Sequence, residues 1–131
     1  MAKHQFKIRS LRVTRVADLT VLTGRIDLAQ VELLEHRFAL AIDGGATELV
    51  VDLDALEELG REGLRVLVET AEIMLLRAGR VTLAARNRLG DWSLMEVTPS
   101  KPETLVGLQP ALDRALVEAG VSNRSTARAA A

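Results

Sequence analysis

The chain is predicted to be a single α/β domain with a mixed, mostly parallel β-sheet of about five strands and helices packed on it. Short runs of apolar and β-branched residues alternate with longer segments whose apolar residues recur at helical spacing. Helices that join successive strands imply parallel strands, and a hairpin at the start of the chain adds an antiparallel pair.

The composition is that of an ordinary globular protein and excludes several classes of function. The 131 residues carry 17 basic and 18 acidic side chains, so no broad attraction to nucleic acid or to anionic membranes is expected. The absence of cysteine excludes disulfides and thiolate chemistry. No apolar run approaches the roughly 20 residues that span a bilayer, and residues 1–7 lack the apolar core of a signal peptide. The default expectation is a cytoplasmic protein without direct membrane insertion.

The first two predicted strands form a hairpin. Residues 6–16 alternate apolar and basic side chains, which is typical of an edge strand whose charged residues face water. Residues 19–24 are rich in β-branched side chains. A short turn at Ala17-Asp18 is predicted between the two strands.

The first helix has clear signals at both ends. Asp27 is a favoured N-cap residue and Gln30 stands three positions later, as in a capping box. The helix is predicted to end at Asp43-Gly44-Gly45, which is interpreted as a plain C-cap turn. These glycines follow a helix and do not open one, so no phosphate cradle is expected there. The next segment, Leu49–Leu53, is nearly all apolar and suits a central strand covered on both faces.

A second helix is predicted from near Leu64 to Gly79, followed by a strand at 80–84. Its expected core stripe is formed by Leu64, Leu67, Val68, Ala71, Leu75 and Ala78. Four further apolar residues lie outside or at the edge of that stripe, namely Val66, Ile73, Met74 and Leu76. They either pack against neighbouring elements or form a face that binds a partner.

The last third of the chain is less regular. Residues 86–97 are interpreted as a short helix built on Leu89, Trp92, Leu94 and Met95, and the prolines make residues 98–102 a loop. A short strand at 104–107 and a helix at 109–119 are predicted next. The predicted organisation is an N-terminal extension at 1–5, a domain at 6–119 and a flexible tail at 120–131.

The corner between the central strand and the second helix is the candidate functional site. Acidic side chains gather there, and such a cluster is either a solvated helix start or a docking site for an arginine of a partner. No nucleophile accompanies the acids, so a catalytic site is not expected. The two histidines, His4 and His36, lack the convergent ligands that a metal needs, and no cofactor is predicted. The predicted partner-binding residues are Asp54, Glu58, Gly60, Arg61, Glu62, Gly63, Arg65 and Glu69.

Three segments together resemble the STAS domain, the fold of bacterial anti-sigma factor antagonists. Gly24-Arg25-Ile26-Asp27 is similar to the family's turn into its first helix, and Leu49–Leu53 is similar to its central strand. Gly63-Leu64, followed by Val66-Leu67-Val68, resembles the end of the family's aspartate-serine-serine-glycine-leucine motif. The resemblance covers about residues 6–119.

The chain departs from the family in the motif itself. When Gly63-Leu64 is aligned with the motif's last two residues, Gly60 stands in place of the aspartate. Arg61 stands where the family has its phosphorylated serine, and Glu62 replaces the next serine. The resemblance therefore implies a non-catalytic interaction module that is not phosphorylated at the usual position. Thr70, Ser93 and Thr98 are weaker candidates for phosphorylation elsewhere.

The resemblance implies a protein partner, which would be an anti-sigma factor or kinase, a stressosome-like assembly, or a second copy of the chain as a homodimer. Two alternatives stay open. The chain could be a cytoplasmic accessory subunit similar to the small STAS subunits of lipid-exporting ABC transporters. It could also be a STAS-like domain that binds a nucleotide or another small ligand, although the sequence offers no phosphate loop.

Overall fold

The described residues, 6–86 and 89–101 of a computed structural model, form six strands and two helices. In chain order they are β1 (Lys7–Arg12), β2 (Ala17–Arg25), α1 (Leu28–Asp43), β3 (Glu48–Asp52), β4 (Leu56–Glu58), α2 (Gly60–Leu76), β5 (Arg80–Arg86) and β6 (Trp92–Glu96). The predicted extension at 1–5, strand at 104–107, helix at 109–119 and tail at 120–131 lie outside the described residues.

The strands form one mixed sheet in the order β1-β2-β3-β5-β6, with the short β4 added beside β2. Strands β2, β3 and β5 run parallel, and β4 is parallel to β2. The two outer pairs, β1 with β2 and β5 with β6, are antiparallel. The predicted α/β fold with a mostly parallel mixed sheet is confirmed, as is β1 as an edge strand. The described part of the sheet has six strands, where about five were expected.

The β1–β2 hairpin is closed before Ala17, and not at Ala17-Asp18 as predicted. Val13 N donates to Ala17 O at 2.8 Å, and the Thr14 hydroxyl accepts from the Ala17 N–H at 3.1 Å. Asp18 is already part of β2 and is buried, where it forms an ion pair with Arg12. Arg12 also donates to the carbonyl of Gly44 at 3.0 Å, so it fastens the hairpin to the end of α1.

Both helices contribute to a core on one face of the sheet. Side chains at alternate positions of the strands are buried, which is the period that strands impose. The paired positions Leu49↔Val81 and Val51↔Leu83 place four core residues on the same face. The largest fully buried side chains are Phe38, Leu22, Leu34, Leu49, Leu53, Leu59, Leu67, Met74 and Leu83.

The start and the buried face of α2 differ from the prediction. The helix begins at Gly60 instead of near Leu64. Leu75 is 63% exposed and Ala78 is also exposed, so they do not belong to the core stripe. Val66 and Met74 are buried instead. The predicted stripe was too narrow because α2 packs against α1 as well as the sheet, and Val66 borders a small groove that it shares with Phe38 and Ile42 of α1.

The C-terminus of α2 uses a left-handed residue other than glycine. Ala78 has a φ of 58°, and the following Gly79 donates its N–H to Met74 O at 2.7 Å, as in a Schellman turn. A Cβ at Gly79 would lie 2.6 Å from the carbonyl oxygen of Thr47. Gly79 is therefore required by the close approach of two backbones, while the left-handed conformation falls on an alanine that tolerates it poorly.

The prediction of a short helix within residues 86–97 was wrong, because Trp92–Glu96 is the edge strand β6, paired antiparallel with β5. Leu89, Trp92 and Met95 recur every three residues and suggested a helix. The same stretch also has alternating burial, with Ser93 and Met95 half-buried between exposed neighbours. A short apolar segment can fit both the helical repeat and the two-residue repeat of a strand. Here the pairing with β5 makes the segment a strand. No helix among residues 6–86 and 89–101 is long and apolar enough to cross a membrane.

The substitution Ala78→Gly should raise the free energy of unfolding by about 1 kcal/mol, because glycine adopts the left-handed conformation without the steric cost that alanine incurs. Urea or thermal unfolding measures the change. Ala39→Gly, on the exposed side of α1, is the matched control and should lower stability by a similar amount. A loss of stability in both variants would contradict the role assigned to Ala78.

Candidate functional site

A three-residue strand places the two helix starts side by side. In β4, Leu56 pairs with Gly24 and Glu58 pairs with Arg25, the last residues of β2. The Ile26 N–H then donates to Glu58 O at 2.9 Å. Since α1 starts just after Ile26 and α2 starts just after Leu59, this pairing sets the first turns of both helices next to each other.

Two glycines, Gly60 and Gly63, allow the first turn of α2 to pack closely at this position. Gly60 has a φ of 74°, and a Cβ there would also lie 3.4 Å from the carbonyl oxygen of Ile26. A Cβ at Gly63 would come within 2.7 Å of Leu59 Cδ1, and Leu59 is fully buried. The two positions between the glycines, Arg61 and Glu62, are exposed and partly exposed.

An open cleft of about 530 Å³ lies between the two helix starts. We refer to it as the N-terminal cleft. Its lining combines a few apolar groups with charged ones: Ile26, Asp27, Leu28, Glu58, Gly60, Arg61 and Glu62. Leu28 is 74% exposed at its rim.

Most of the carboxylates around the cleft are already paired with arginines of this chain. Glu58 accepts from Arg25 at 2.9 Å. Arg65 binds two carboxylates, Glu62 at 2.9 Å and Glu69 at 2.8 Å. The hydrogen bond that Arg25 donates to Glu58 raises the pKa of Arg25, and those that Arg65 donates to Glu62 and Glu69 raise the pKa of Arg65. These arginines therefore stay charged, and the acidic cluster offers little free negative charge to an arginine of a partner.

Arg61 differs from the other arginines at this corner. It is exposed at the first turn of α2, and its side chain forms no hydrogen bond or ion pair with another described residue. It is the one cation in the described lining of the cleft. A positive charge at a helix N-terminus is opposed by the helix dipole, so an anionic group from outside would be favourable here.

The two helix starts differ in how their backbone N–H groups are satisfied. Asp27 caps α1 by accepting from Ala29 N at 3.0 Å, and Gln30 accepts from Asp27 N at 3.2 Å, so the predicted capping box is confirmed. At α2 the N-cap residue is Leu59, which makes no side-chain hydrogen bond. First-turn N–H groups of α2 thus lack a side-chain cap.

The structure brings together only some of the predicted site residues. Four of them line the cleft, namely Glu58, Gly60, Arg61 and Glu62. Gly63 is buried beneath it, and Arg65 and Glu69 continue along α2. Asp54 is not in the lining, and its carboxylate accepts from the backbone N–H of Arg86 at 2.9 Å.

The start of α1 also contributes to the cleft, which was not predicted from the sequence. Ile26, Asp27 and Leu28 line the cleft but were read only as a turn and a cap. The sequence did contain a signal for this contribution, because Gly24–Asp27 is one of the segments that resemble the family. What was lacking was β4, which is too short to recognise from periodicity and which creates the contact.

Within the described residues, no group of three or more histidine, aspartate or glutamate side chains is placed to hold a metal ion. Thr70 is buried between the helices, so its hydroxyl is a poor target for a kinase. The cleft itself contains no hydroxyl side chain among its described lining residues. The described lining is therefore a charged surface without a hydroxyl nucleophile.

Three solved structures with the same fold are of anti-sigma factor antagonists. One from Mycobacterium paratuberculosis has a TM-score of 0.58 and 24% identity, over 89% of this chain and 96% of that one. SpoIIAA in its unphosphorylated form has a TM-score of 0.54 and 22% identity, over 59% of this chain and 71% of that one. The Bacillus cell fate determinant SpoIIAA in the phosphorylated form has a TM-score of 0.52 and 21% identity, over 57% and 68%.

The chain therefore has the STAS-domain fold of the anti-sigma factor antagonists, as the resemblance predicted. No protein-family model matches its sequence, and no curated protein does either. At 21 to 24% identity the likeness establishes the fold, and the function has to be argued from the cleft.

The variant Asp27→Ala should lower the free energy of unfolding by about 1 kcal/mol, because it removes the N-cap of α1 at the edge of the cleft. Asp27→Asn should retain most of the stability, since asparagine caps equally well. Asp43→Ala is the matched control, because it removes an exposed carboxylate from the opposite end of the same helix. Chemical denaturation measures all three, and equal losses for Asp27→Ala and Asp43→Ala would contradict the capping role.

Proposed function

We propose that this protein is a non-catalytic protein-interaction module of the anti-sigma factor antagonist type. It docks on a cytoplasmic protein partner, such as an anti-sigma factor or its kinase relatives, through the N-terminal cleft. The interaction is constitutive, because the chain is not switched by phosphorylation at the first turn of α2.

Arg61 is the observation that carries the proposal. It is exposed at the mouth of the cleft and unpaired among the described residues, whereas Glu58 and Glu62 are engaged by Arg25 and Arg65. Burying a charge without a partner is costly, so a protein that covers this surface has to supply an anionic group. Arginine is also enriched among the residues that dominate binding energy at interfaces.

The absence of a switch follows from the residues at the same turn. SpoIIAA exists in phosphorylated and unphosphorylated forms. A phosphoserine at a helix N-terminus would add a charge of about −2 to the surface. Arg61 and Glu62 carry no hydroxyl to phosphorylate, and the charge of this turn is fixed.

The shape of the cleft favours a protein over a small ligand. Its volume of about 530 Å³ lies within the range of small-molecule sites. Such sites, however, are enclosed and mainly apolar, whereas this cleft is open and four of its seven lining residues are charged. An open, charged surface with an exposed apolar rim at Leu28 resembles the edge of a protein interface.

The substitution Arg61→Glu should weaken binding to the partner by about 2 kcal/mol or more, roughly thirtyfold in Kd, because it reverses the charge that the partner contacts. The partner is first identified by affinity capture with the unaltered protein, and Kd is then measured by calorimetry with the purified partner.

Arg77→Glu is the control, because Arg77 is also an exposed arginine without an ion-pair partner among the described residues, but it is the C-cap residue at the opposite end of α2. It should leave Kd nearly unchanged. If the partner binds Arg61→Glu as tightly as the unaltered protein, the cleft is not the docking surface.

A further inference from the structure

The two edges of the sheet are protected to different degrees against pairing with another strand. At one edge, β1 places three basic residues, Lys7, Arg9 and Arg12, among its six. Like charges deter the pairing of one edge with another, and natural sheets use them for that purpose. At the opposite edge, β6 has the sequence Trp-Ser-Leu-Met-Glu, with no lysine, arginine or proline.

On the side of β6 that faces away from β5, the backbone groups have no strand to pair with among residues 6–86 and 89–101. Among the described strands it pairs with β5 alone. Val97 N donates to Val81 O at 2.8 Å, which marks that pair as hydrogen-bonded. Because hydrogen-bonded and non-hydrogen-bonded pairs alternate along an antiparallel ladder, Trp92, Leu94 and Glu96 direct their N–H and C=O groups away from β5.

Two large apolar side chains of β6 are also exposed to solvent. Leu94 is 68% exposed and Trp92 is 52% exposed, and both lie on the same face of the sheet because they are two residues apart. An apolar edge with free hydrogen-bonding groups is a template for strand addition.

The sequence of β6 is complementary to itself in the register that uses the whole strand. A two-fold axis at Leu94 pairs all five residues with a second copy, Leu94 with Leu94 and Trp92 with Glu96. No like charges then stand opposite each other. A register centred on Glu96 would instead oppose two carboxylates, which is unfavourable.

Arg86 provides the charge that this register requires. It pairs with Trp92 across the β5–β6 ladder, and its guanidinium lies 5.2 Å from the centre of the Trp92 ring. In the dimer, Glu96 of the second copy would stand on the other side of the same Trp92. A carboxylate, an indole and a guanidinium would then form a row across three strands, repeated by the two-fold axis.

We propose that β6 is a self-association edge, through which two copies of this chain form an antiparallel, two-fold dimer with a continuous sheet. The interface is one strand wide, so it is smaller than that of a permanent dimer and the association is reversible at micromolar or higher concentration. None of the described residues that line the N-terminal cleft belongs to β5 or β6, so dimerisation does not depend on the proposed docking function.

Sedimentation velocity from micromolar to millimolar concentration tests the proposal. The unaltered protein should shift from monomer to dimer over this range. Leu94→Lys should weaken the dimer by about tenfold or more, because it sets two lysines opposite each other. Glu96→Lys should also weaken it, because it brings a positive charge towards Arg86 of the other copy.

Two matched controls separate the edge from general surface effects. Leu76→Lys changes an exposed leucine of α2, and Glu72→Lys changes an exposed acid of the same helix. Both should dimerise like the unaltered protein, with folding of every variant checked by circular dichroism. A protein that stays monomeric throughout the range, or a dimer weakened equally by Leu94→Lys and Leu76→Lys, overturns the proposal.

Discussion

The pairing of β4 with the end of β2 is the contact on which the N-terminal cleft depends. One hydrogen bond, from Ile26 N to Glu58 O, continues the ladder past the last strand residue and holds the starts of α1 and α2 together. Leu56 and Leu59 are buried on either side of Glu58 and anchor this short strand in the core. The burial of Leu56 and Leu59 thus holds the hydrogen bond between Ile26 and Glu58 in place, and this hydrogen bond positions the two helix starts that form the cleft.

The ion pairs around the cleft determine which charges remain for the proposed partner to contact. Each pair joins neighbouring parts of the chain: Arg25 of β2 with Glu58 of β4, Arg86 of β5 with Asp54 of the corner, and Arg65 with two acids of its own helix. Exposed pairs of this kind add little to stability. They neutralise a corner whose sequence is rich in acidic residues and leave Arg61 as the cation in the described lining of the cleft.

Much of the fold could be predicted from sequence because the signals were local. The capping box at Asp27 and the apolar run of β3 depend on neighbouring residues, and both were found. The predictions were wrong where the structure of a segment depends on the helix or strand that packs against it. Leu75 was assigned to the core and Val66 to its margin, because the packing of α2 on α1 is not encoded in the period of one helix. The apolar pattern of β6 fitted a helix as well as a strand, and β4 was too short to show a pattern. In both cases pairing with a neighbouring strand determines the structure. At the candidate site, four of the predicted residues line the cleft, but the ion pairs that neutralise its acidic residues could be found only from the coordinates.

Gly60 and Gly63 fit the first turn of α2 to its surroundings and leave the two residues between them outside that constraint. The first glycine is fixed by its backbone conformation and the second by contact with Leu59, while the two side chains between them point away from the core. Residues 61 and 62 can therefore be exchanged with little effect on folding. Under the function proposed above, these two positions would set whether the turn carries fixed charges or a hydroxyl that a kinase can modify, and the core would not have to be rebuilt to change one into the other.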